Sequence, residues 1–197
     1  MRLTVTALSV AGNPDSMSPA EALPIFPNCR SVTRIVRVGG MSKPELLAEF
    51  QKRGIELNES GQALFAHDNF TTSKTTSLLE TEEISVGDLG YARGATAAQI
   101  HERAVKLGLS LCPLELGPHL RLQFLDQTEG HSGCPPSQHR APSGSITVAS
   151  RRLTEDDRIP KGFYLRRING VLWLRGYCSA AEHIWSPEDR FVFLRAQ

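Results

Sequence analysis

The sequence predicts a single α+β domain whose sheet is mainly antiparallel, with helices packed on one side. Three observations indicate this class. Helical patterns are interspersed in the earlier part of the chain, strand patterns crowd into the later part, and Asn169-Gly170 between two apolar runs marks a hairpin near the C-terminus. The domain is predicted over residues 32–197. Residues 1–31 are predicted to form a poorly packed N-terminal extension, because they show no sustained hydrophobic period.

The first predicted elements are a strand and two helices. The segment SVTRIVRV predicts a strand that ends before Gly39-Gly40. The next segment, SKPELLAEFQKRG, predicts a helix, because Ser42 and Glu45 form a capping box and Gly54 can end the helix in a left-handed conformation. A second short helix is predicted from Asn58. The pair loosely resembles nucleic-acid-binding helix pairs, but its exposed positions mix both charge signs, which favours a helical hairpin that covers a sheet.

The middle of the chain predicts strands around one more helix. Residues 71–80 are rich in Thr and Ser, which predicts a loop or a sheet edge, and the TEEISV that follows predicts a short strand. A helix begins near Thr96, which forms a second capping box with Gln99, and ends at Gly108. Apolar and polar residues alternate in HLRLQFL, residues 119–125, so a half-buried strand is predicted there. The segments SITVAS and DRFVFLRA predict two further strands.

The segment GFYLRRINGVLWLRGY, residues 162–177, predicts the hairpin. A two-residue type I′ turn at Asn169-Gly170 fixes which side chains share a face. One face of the hairpin, which we call the ladder face, has the predicted cross-strand pairs Ile168 with Val171, Arg166 with Trp173, and Tyr164 with Arg175. The opposite face carries Leu165 and Leu174 and is predicted to be the core side.

The ladder face supplies the candidate ligand-binding residues, which are Tyr164, Arg166, Trp173 and Arg175. Guanidinium groups can lie on aromatic rings, and such a surface can hold a small anionic or planar ligand or a protein partner. The same pattern is also compatible with a solvent-facing sheet whose side chains only satisfy one another. The sequence leaves both interpretations open, and a non-catalytic binding protein is the function that we expect.

Composition and motifs exclude several functions. The net charge of +1 gives no global attraction to nucleic acid, so a nucleic-acid partner is not expected. No apolar run approaches the roughly 20 residues that a membrane span needs, so no membrane partner is expected either. The start, MRLTVTALSVAG, could be a weak secretory leader, but threonines interrupt its thin apolar part, and we expect a cytoplasmic protein. No phosphate-binding loop motif is present, and no cofactor is predicted.

The cysteines and histidines offer one candidate metal site. No C-x-x-C pair is present, so reduced thiols are expected at Cys29, Cys112, Cys134 and Cys178. The loop that carries His131, Cys134 and His139 could supply three zinc ligands, with Cys112 or Cys178 as a fourth. Its spacing matches no standard zinc module, so we expect a surface loop without metal.

An enzyme is the alternative function. Glu115 and His119, in LELGPHLRL, could form an acid/base pair in the cleft of a small hydrolase or transferase. A general base needs a tuned pKa and a pocket, and the sequence shows neither. A deep pocket that joins this pair to His139 would favour the enzyme, whereas a shallow sheet face would favour the binding protein.

Five segments together resemble a family of small, uncharacterised bacterial proteins over about residues 33–194. The resemblance implies a bacterial cytosolic protein and carries over no site residues, and residues 1–31 fall outside it. Members are sometimes labelled helicases, but the absence of a Walker-type phosphate loop argues against that activity. The segments are VRVGGMSKPELLAEF, LGLSLCPLELGPHLRLQF, HRAPSGSITVAS, PKGFYLRRINGVLWLRGY and WSPEDRFVF.

Overall fold

The computed structural model of the protein describes residues 26–130 and 143–195. Four helices and ten strands lie within these ranges. In chain order they are β1 (Val32–Val38), α1 (Lys43–Lys52), β2 (Ile55–Leu57), α2 (Glu59–Ala66), β3 (Ser77–Ser85), β4 (Ala95–Thr96), α3 (Ala97–Lys106), β5 (Leu109–Ser110), α4 (Leu116–Gln123), β6 (Ile146–Val148), β7 (Gly162–Ile168), β8 (Val171–Tyr177), β9 (Ile184–Trp185) and β10 (Arg190–Arg195).

Eight of these strands form one sheet. Its order is β1-β3-β10-β6-β7-β8-β2, and β5 pairs with β10 beside this path. The strand pairs β10–β6 and β2–β8 are parallel, and the other pairs of this sheet are antiparallel. Strands β4 and β9 form a separate antiparallel pair. The predicted α+β class with a mainly antiparallel sheet is therefore confirmed.

Two hydrophobic cores lie on opposite faces of the sheet. The alternation along β10 shows this, because Val192 packs in the first core whereas Phe191 and Phe193 pack in the second. Helices α1, α2 and α4 contribute to the first core, and α3 contributes Ile100 and Ala104 to the second. The prediction of helices on one side therefore holds for three helices, while α3 covers the opposite face. Because β10 is buried on both faces, its sequence is almost continuously apolar.

Both predicted capping boxes are present. The Glu45 carboxylate accepts hydrogen bonds from the N–H and the hydroxyl of Ser42, each at 2.7 Å. In the second box, the Gln99 side chain accepts from the Thr96 N–H at 2.9 Å, and the Thr96 hydroxyl accepts from the Gln99 N–H at 3.3 Å. These bonds satisfy donors that a helix start otherwise leaves free. The two helices therefore begin where the sequence predicts.

The strand predicted over residues 119–125 is wrong, because α4 occupies most of that segment. The first seven residues of α4 are all buried, so this helix has no polar face from which a helical period could be recognised. Pro118 lies in its first turn, where a missing N–H costs nothing. Gly117 allows a close approach to the sheet, since a Cβ there would lie 2.9 Å from the Cβ of Phe163.

Strand β3 is longer than the sequence predicts, and β2 lies where no strand is predicted. Strand β3 begins at Ser77, inside the segment predicted as a loop or sheet edge. Strand β2 occupies the connection between the first two helices and pairs in parallel with β8. Three residues are too few to show a period, so the pairing partner and not the local sequence determines this strand.

The extension predicted for residues 1–31 lies outside the described residues up to residue 25. Phe26 is 8 % exposed and packs in the second core. Its N–H donates to the carbonyl oxygen of Asp88 at 2.9 Å. The core therefore includes a residue upstream of the predicted boundary at residue 32.

Candidate functional site

The hairpin β7–β8 has the register that the sequence predicts. Asn169 and Gly170 have φ angles of 52° and 77°, the left-handed values that a type I′ turn requires. The three cross-strand pairs of the ladder face are all present. They are Ile168 with Val171, Arg166 with Trp173, and Tyr164 with Arg175.

The two faces of the hairpin have the predicted burial. Leu165 and Leu174 are both 0 % exposed and belong to the first core. The four candidate ligand-binding side chains, at positions 164, 166, 173 and 175, lie on the other face and are partly buried. Successive side chains of a strand point to opposite faces, so this burial follows directly from the register.

The strands beside the hairpin extend the ladder face. On the β6 side, Thr147 pairs with Tyr164, and on the β2 side, Glu56 pairs with Trp173. Glu56 is exposed, so it places a carboxylate at the rim of the face. The ring of Tyr164 also makes an edge contact with Tyr177, their centroids 6.5 Å apart. The patch therefore spans four strands and has the acidic side chain of Glu56 on its β2 side.

Two arginines of the ladder face have no carboxylate partner in the part of the chain that the structure describes. Within the described residues, neither Arg166 nor Arg175 forms an ion pair with Asp or Glu. The Arg175 guanidinium carbon lies 5.2 Å from the centroid of the Trp173 ring, which is cation–π distance. Trp173 thus contacts Arg175, two residues further along β8, and Arg166 lies opposite Trp173 on β7. The face presents two uncompensated positive charges on either side of one tryptophan.

The third arginine of the hairpin points the other way and supports the turn. Arg167 lies on the face opposite the ladder and its Nε is 3.5 Å from a carboxylate oxygen of Glu129. The same carboxylate accepts a hydrogen bond from the N–H of Gly170 at 3.3 Å. Glu129 therefore fixes the tip of the hairpin from outside the sheet, and Arg167 has an acidic partner, unlike the ladder arginines among the described residues.

Arg121 adds a positive charge inside the protein. It is 0 % exposed, and its guanidinium donates to the Gln127 side chain at 2.5 Å and to the carbonyl oxygen of Phe124. Gln127 donates in turn to the carbonyl oxygen of Leu165 at 3.2 Å, so this network ties α4 to β7. Burial, together with the charge of Arg167, lowers the pKa of Arg121 to about 10. The side chain therefore stays charged at neutral pH.

Glu115 and His119 lie together at the start of α4, but both bind backbone. The Glu115 carboxylate accepts from the N–H of Ser73 at 2.8 Å, and His119 Nε2 accepts from the N–H of Gly39 at 3.0 Å. Burial lowers the pKa of His119, and the nearby Glu115 carboxylate opposes this change. A general base needs a free nitrogen, and Nε2 is already an acceptor. The geometry therefore favours a structural role for the pair.

A groove of about 490 Å³ lies elsewhere, between the end of α3 and the segment after β5. It is lined mainly by apolar side chains, with Arg151 as its charged residue. Neither Glu115 nor His119 lines it, and His139 is outside the described residues. The acid/base alternative stays a prediction.

The candidate metal loop, with His131, Cys134 and His139, also lies outside the described residues. Of its possible fourth ligands, Cys112 is buried, and its thiol lies 3.4 Å from the carbonyl oxygen of Val192. Burial raises the pKa of this thiol strongly, so it is a poor metal ligand and nucleophile. Cys178 is exposed. Within residues 26–130 and 143–195, no group of three or more metal-binding side chains converges.

Comparison with family models, with curated proteins and with solved structures finds no match to this chain. The family resemblance described above stays a prediction. Of the helices in the described part of the chain, none is long and apolar enough to cross a membrane.

The sequence does not reveal two residues that shape the site. Glu56 reaches the rim of the ladder face only because β2 pairs with β8. Arg121 lies in a segment predicted as a strand, where an arginine indicates an exposed position rather than a buried one. No spacing or motif marks either residue, since both positions depend on tertiary pairing.

Proposed function

We propose that this protein is a cytoplasmic binding protein that holds an anionic ligand with a flat apolar part on the ladder face. The observation that carries the proposal is the pair of arginines, Arg166 and Arg175, that flank Trp173 without a carboxylate partner among the described residues. Arginine pairs well with carboxylate and phosphate groups, because its planar fork matches their oxygens.

The tryptophan supplies the second half of the recognition. Trp173 is partly buried and belongs to neither of the two hydrophobic cores of the described residues. A planar group that stacks on this ring would place its charged substituents near the guanidinium groups on either side. Glu56 stands at the rim and would disfavour an anionic group there, which directs the charged part of the ligand toward the arginines. Free cysteines at three described positions agree with a reducing compartment.

Tryptophan fluorescence tests the proposal with three matched probes. Adenosine monophosphate carries a ring and an anion, adenosine only the ring, and inorganic phosphate only the anion. We expect the nucleotide to change the emission at concentrations at least about tenfold lower than either partial probe, because both contacts contribute to its affinity. Trp173→Phe should remove the signal while leaving the emission of the buried Trp185.

Charge variants separate this site from adventitious binding. Arg166→Gln and Arg175→Gln should each weaken nucleotide binding by about fivefold or more, since each removes a charge-assisted contact. Arg93→Gln, at an exposed position in the turn before β4, is the control and should bind as the wild type does. Equal affinity for all three probes, or binding that ignores both ladder arginines, would leave the face as a solvated sheet surface.

A further inference from the structure

Among the described residues, the β1 edge of the sheet is only partly closed. Strand β1 ends the strand order and pairs with β3 alone among the described strands. Along the far end of this edge, the Gln123 side chain of α4 donates to the carbonyl oxygen of Arg37 at 2.8 Å and accepts from its N–H at 3.0 Å. His119 takes the next outward N–H, that of Gly39. Helix α4 thus closes the edge from Arg37 onward.

No described strand pairs with the rest of this edge. In an antiparallel ladder, alternate residues direct both backbone groups away from the partner strand. Since Arg37 points outward to Gln123, Thr33 and Ile35 also point outward, and no described strand lies beside them. Their N–H and C=O groups form a short template on which another extended chain can add.

The side chains around this open segment include two exposed apolar groups and an exposed arginine, beside Glu80 and Glu82 of β3, which pair with Ile35 and Thr33. Ile35 is 69 % exposed, and Leu78, its diagonal neighbour on β3, is 61 % exposed. Arg37 is exposed and forms no ion pair with a described carboxylate, whereas the two carboxylates of β3 on this face, Glu80 and Glu82, both pair with Arg195, at 2.7 and 3.4 Å. The surface therefore combines an apolar contact with an uncompensated positive charge.

We propose that the Thr33–Ile35 edge of β1 binds an extended peptide segment of an acidic partner protein by strand addition. The partner's backbone would pair with Thr33 and Ile35, an apolar side chain would pack on Ile35 and Leu78, and an acidic side chain would face Arg37. A second copy of this chain fits less well, because two β1 strands would bring their arginines together, and like charges across a strand pair are unfavourable. This site is separate from the ladder face.

Fluorescence polarisation with three labelled octapeptides tests the proposal on the full chain. The first repeats Val-Glu, the second repeats Val-Lys, and the third is the first with all internal amides N-methylated. We expect the Val-Glu peptide to bind at least about tenfold more tightly than either control, because strand addition needs both the backbone donors and the acidic charge. Equal binding of the N-methylated peptide would overturn strand addition.

Variants of the edge provide a second measurement. Ile35→Pro removes an outward N–H that makes no ladder bond within the sheet, so the fold should tolerate it while peptide binding is lost. Arg37→Glu should reverse the peptide preference, so that the Val-Glu peptide binds more weakly and the Val-Lys peptide more tightly. Arg93→Glu should change the affinity for neither peptide. Should Arg37→Glu leave the preference unchanged, the charge argument is wrong. Sedimentation that shows a dimer dissociated by Ile35→Pro would identify a second copy as the occupant and overturn the proposal.

Discussion

Single residues of the hairpin divide into those buried in the first core and those on the partly buried ladder face. Leu165 and Leu174 are fully buried neighbours across β7 and β8, and both pack into the first core. The ladder residues next to them along each strand carry charge and aromatic surface. Because the strand period is 2, neighbouring positions of one strand have opposite roles. Mutations at adjacent positions should therefore have very different effects on stability.

We expect Leu174→Ala to lower the free energy of unfolding by about 2–5 kcal/mol, as other large-to-small core changes do. Arg175→Gln should cost only about 0.5–1 kcal/mol, the range for partly exposed cation–ring contacts. Urea unfolding of both variants checks this, with Arg93→Gln as a surface control. A loss at Arg175 as large as that at Leu174 would mean that the ladder face is part of the packed structure and not a free surface.

A second prediction at this scale concerns His119 and pH. Burial lowers the folded-state pKa of His119, and burial of His101 in α3 lowers the pKa of that histidine in the same way. The unfolded chain, with a histidine pKa of about 6.5, therefore binds more protons than the folded chain as the pH falls through that value. The stability that the neutral histidines contribute is therefore fully present above about pH 6.5, and it is lost as the pH falls toward their lowered pKa values.

Melting temperatures between about pH 7.5 and 5.5 measure this decline. His119→Gln keeps an acceptor for the Gly39 N–H but cannot be protonated in this range, so its melting temperature should fall less steeply than that of the wild type. His101→Gln should remove a separate part of the slope. If His119→Gln follows the wild-type slope, His119 does not gain its proton on unfolding and the assigned role of Nε2 is wrong.

At the scale of elements, the sequence predicted those whose signals are local. The capping boxes at Ser42 and Thr96 bond to residues three positions away, so the sequence contains the whole interaction. The turn at Asn169-Gly170 is equally local, and the register of the ladder face follows from it. The candidate binding residues could therefore be assigned to one face from the sequence alone.

Elements that depend on distant partners could not be predicted in this way. Helix α4 is enclosed by β1, α1 and the hairpin strands, so its alternating leucines resemble a strand although the segment is helical. Strand β2 exists because β8 pairs with it. The same limit applies to the site, because the rim residue Glu56 and the edge residue Gln123 acquire their roles through these two elements. The local sequence pattern does not indicate the role of either residue.

At the scale of the whole molecule, the described residues are arranged around one eight-stranded sheet with a core on each face, and the chain order explains why. The central strand β10 comes last in sequence and inserts between β3 and β6, so it joins the early and late halves of the chain. Its buried phenylalanines complete the second core, which receives α3, the β4–β9 pair and Phe26. Residues at both ends of the described chain therefore stabilise the same core.

The last prediction tests how far this core extends toward the N-terminus. Phe26 is buried against the second core, and its N–H bonds to the turn at Asp88. We expect Phe26→Ala in the full-length chain to lower the free energy of unfolding by about 3 kcal/mol, the lower end for phenylalanine truncation, since a residue near the start of the described chain has neighbours that can relax. Asn28→Ala, an exposed position two residues later, is the control and should be nearly neutral. Denaturant unfolding followed by circular dichroism measures both. If Phe26→Ala proves as neutral as the control, the contact seen at Asp88 contributes nothing to stability, and the domain begins with β1 at residue 32 as the sequence pattern alone predicts.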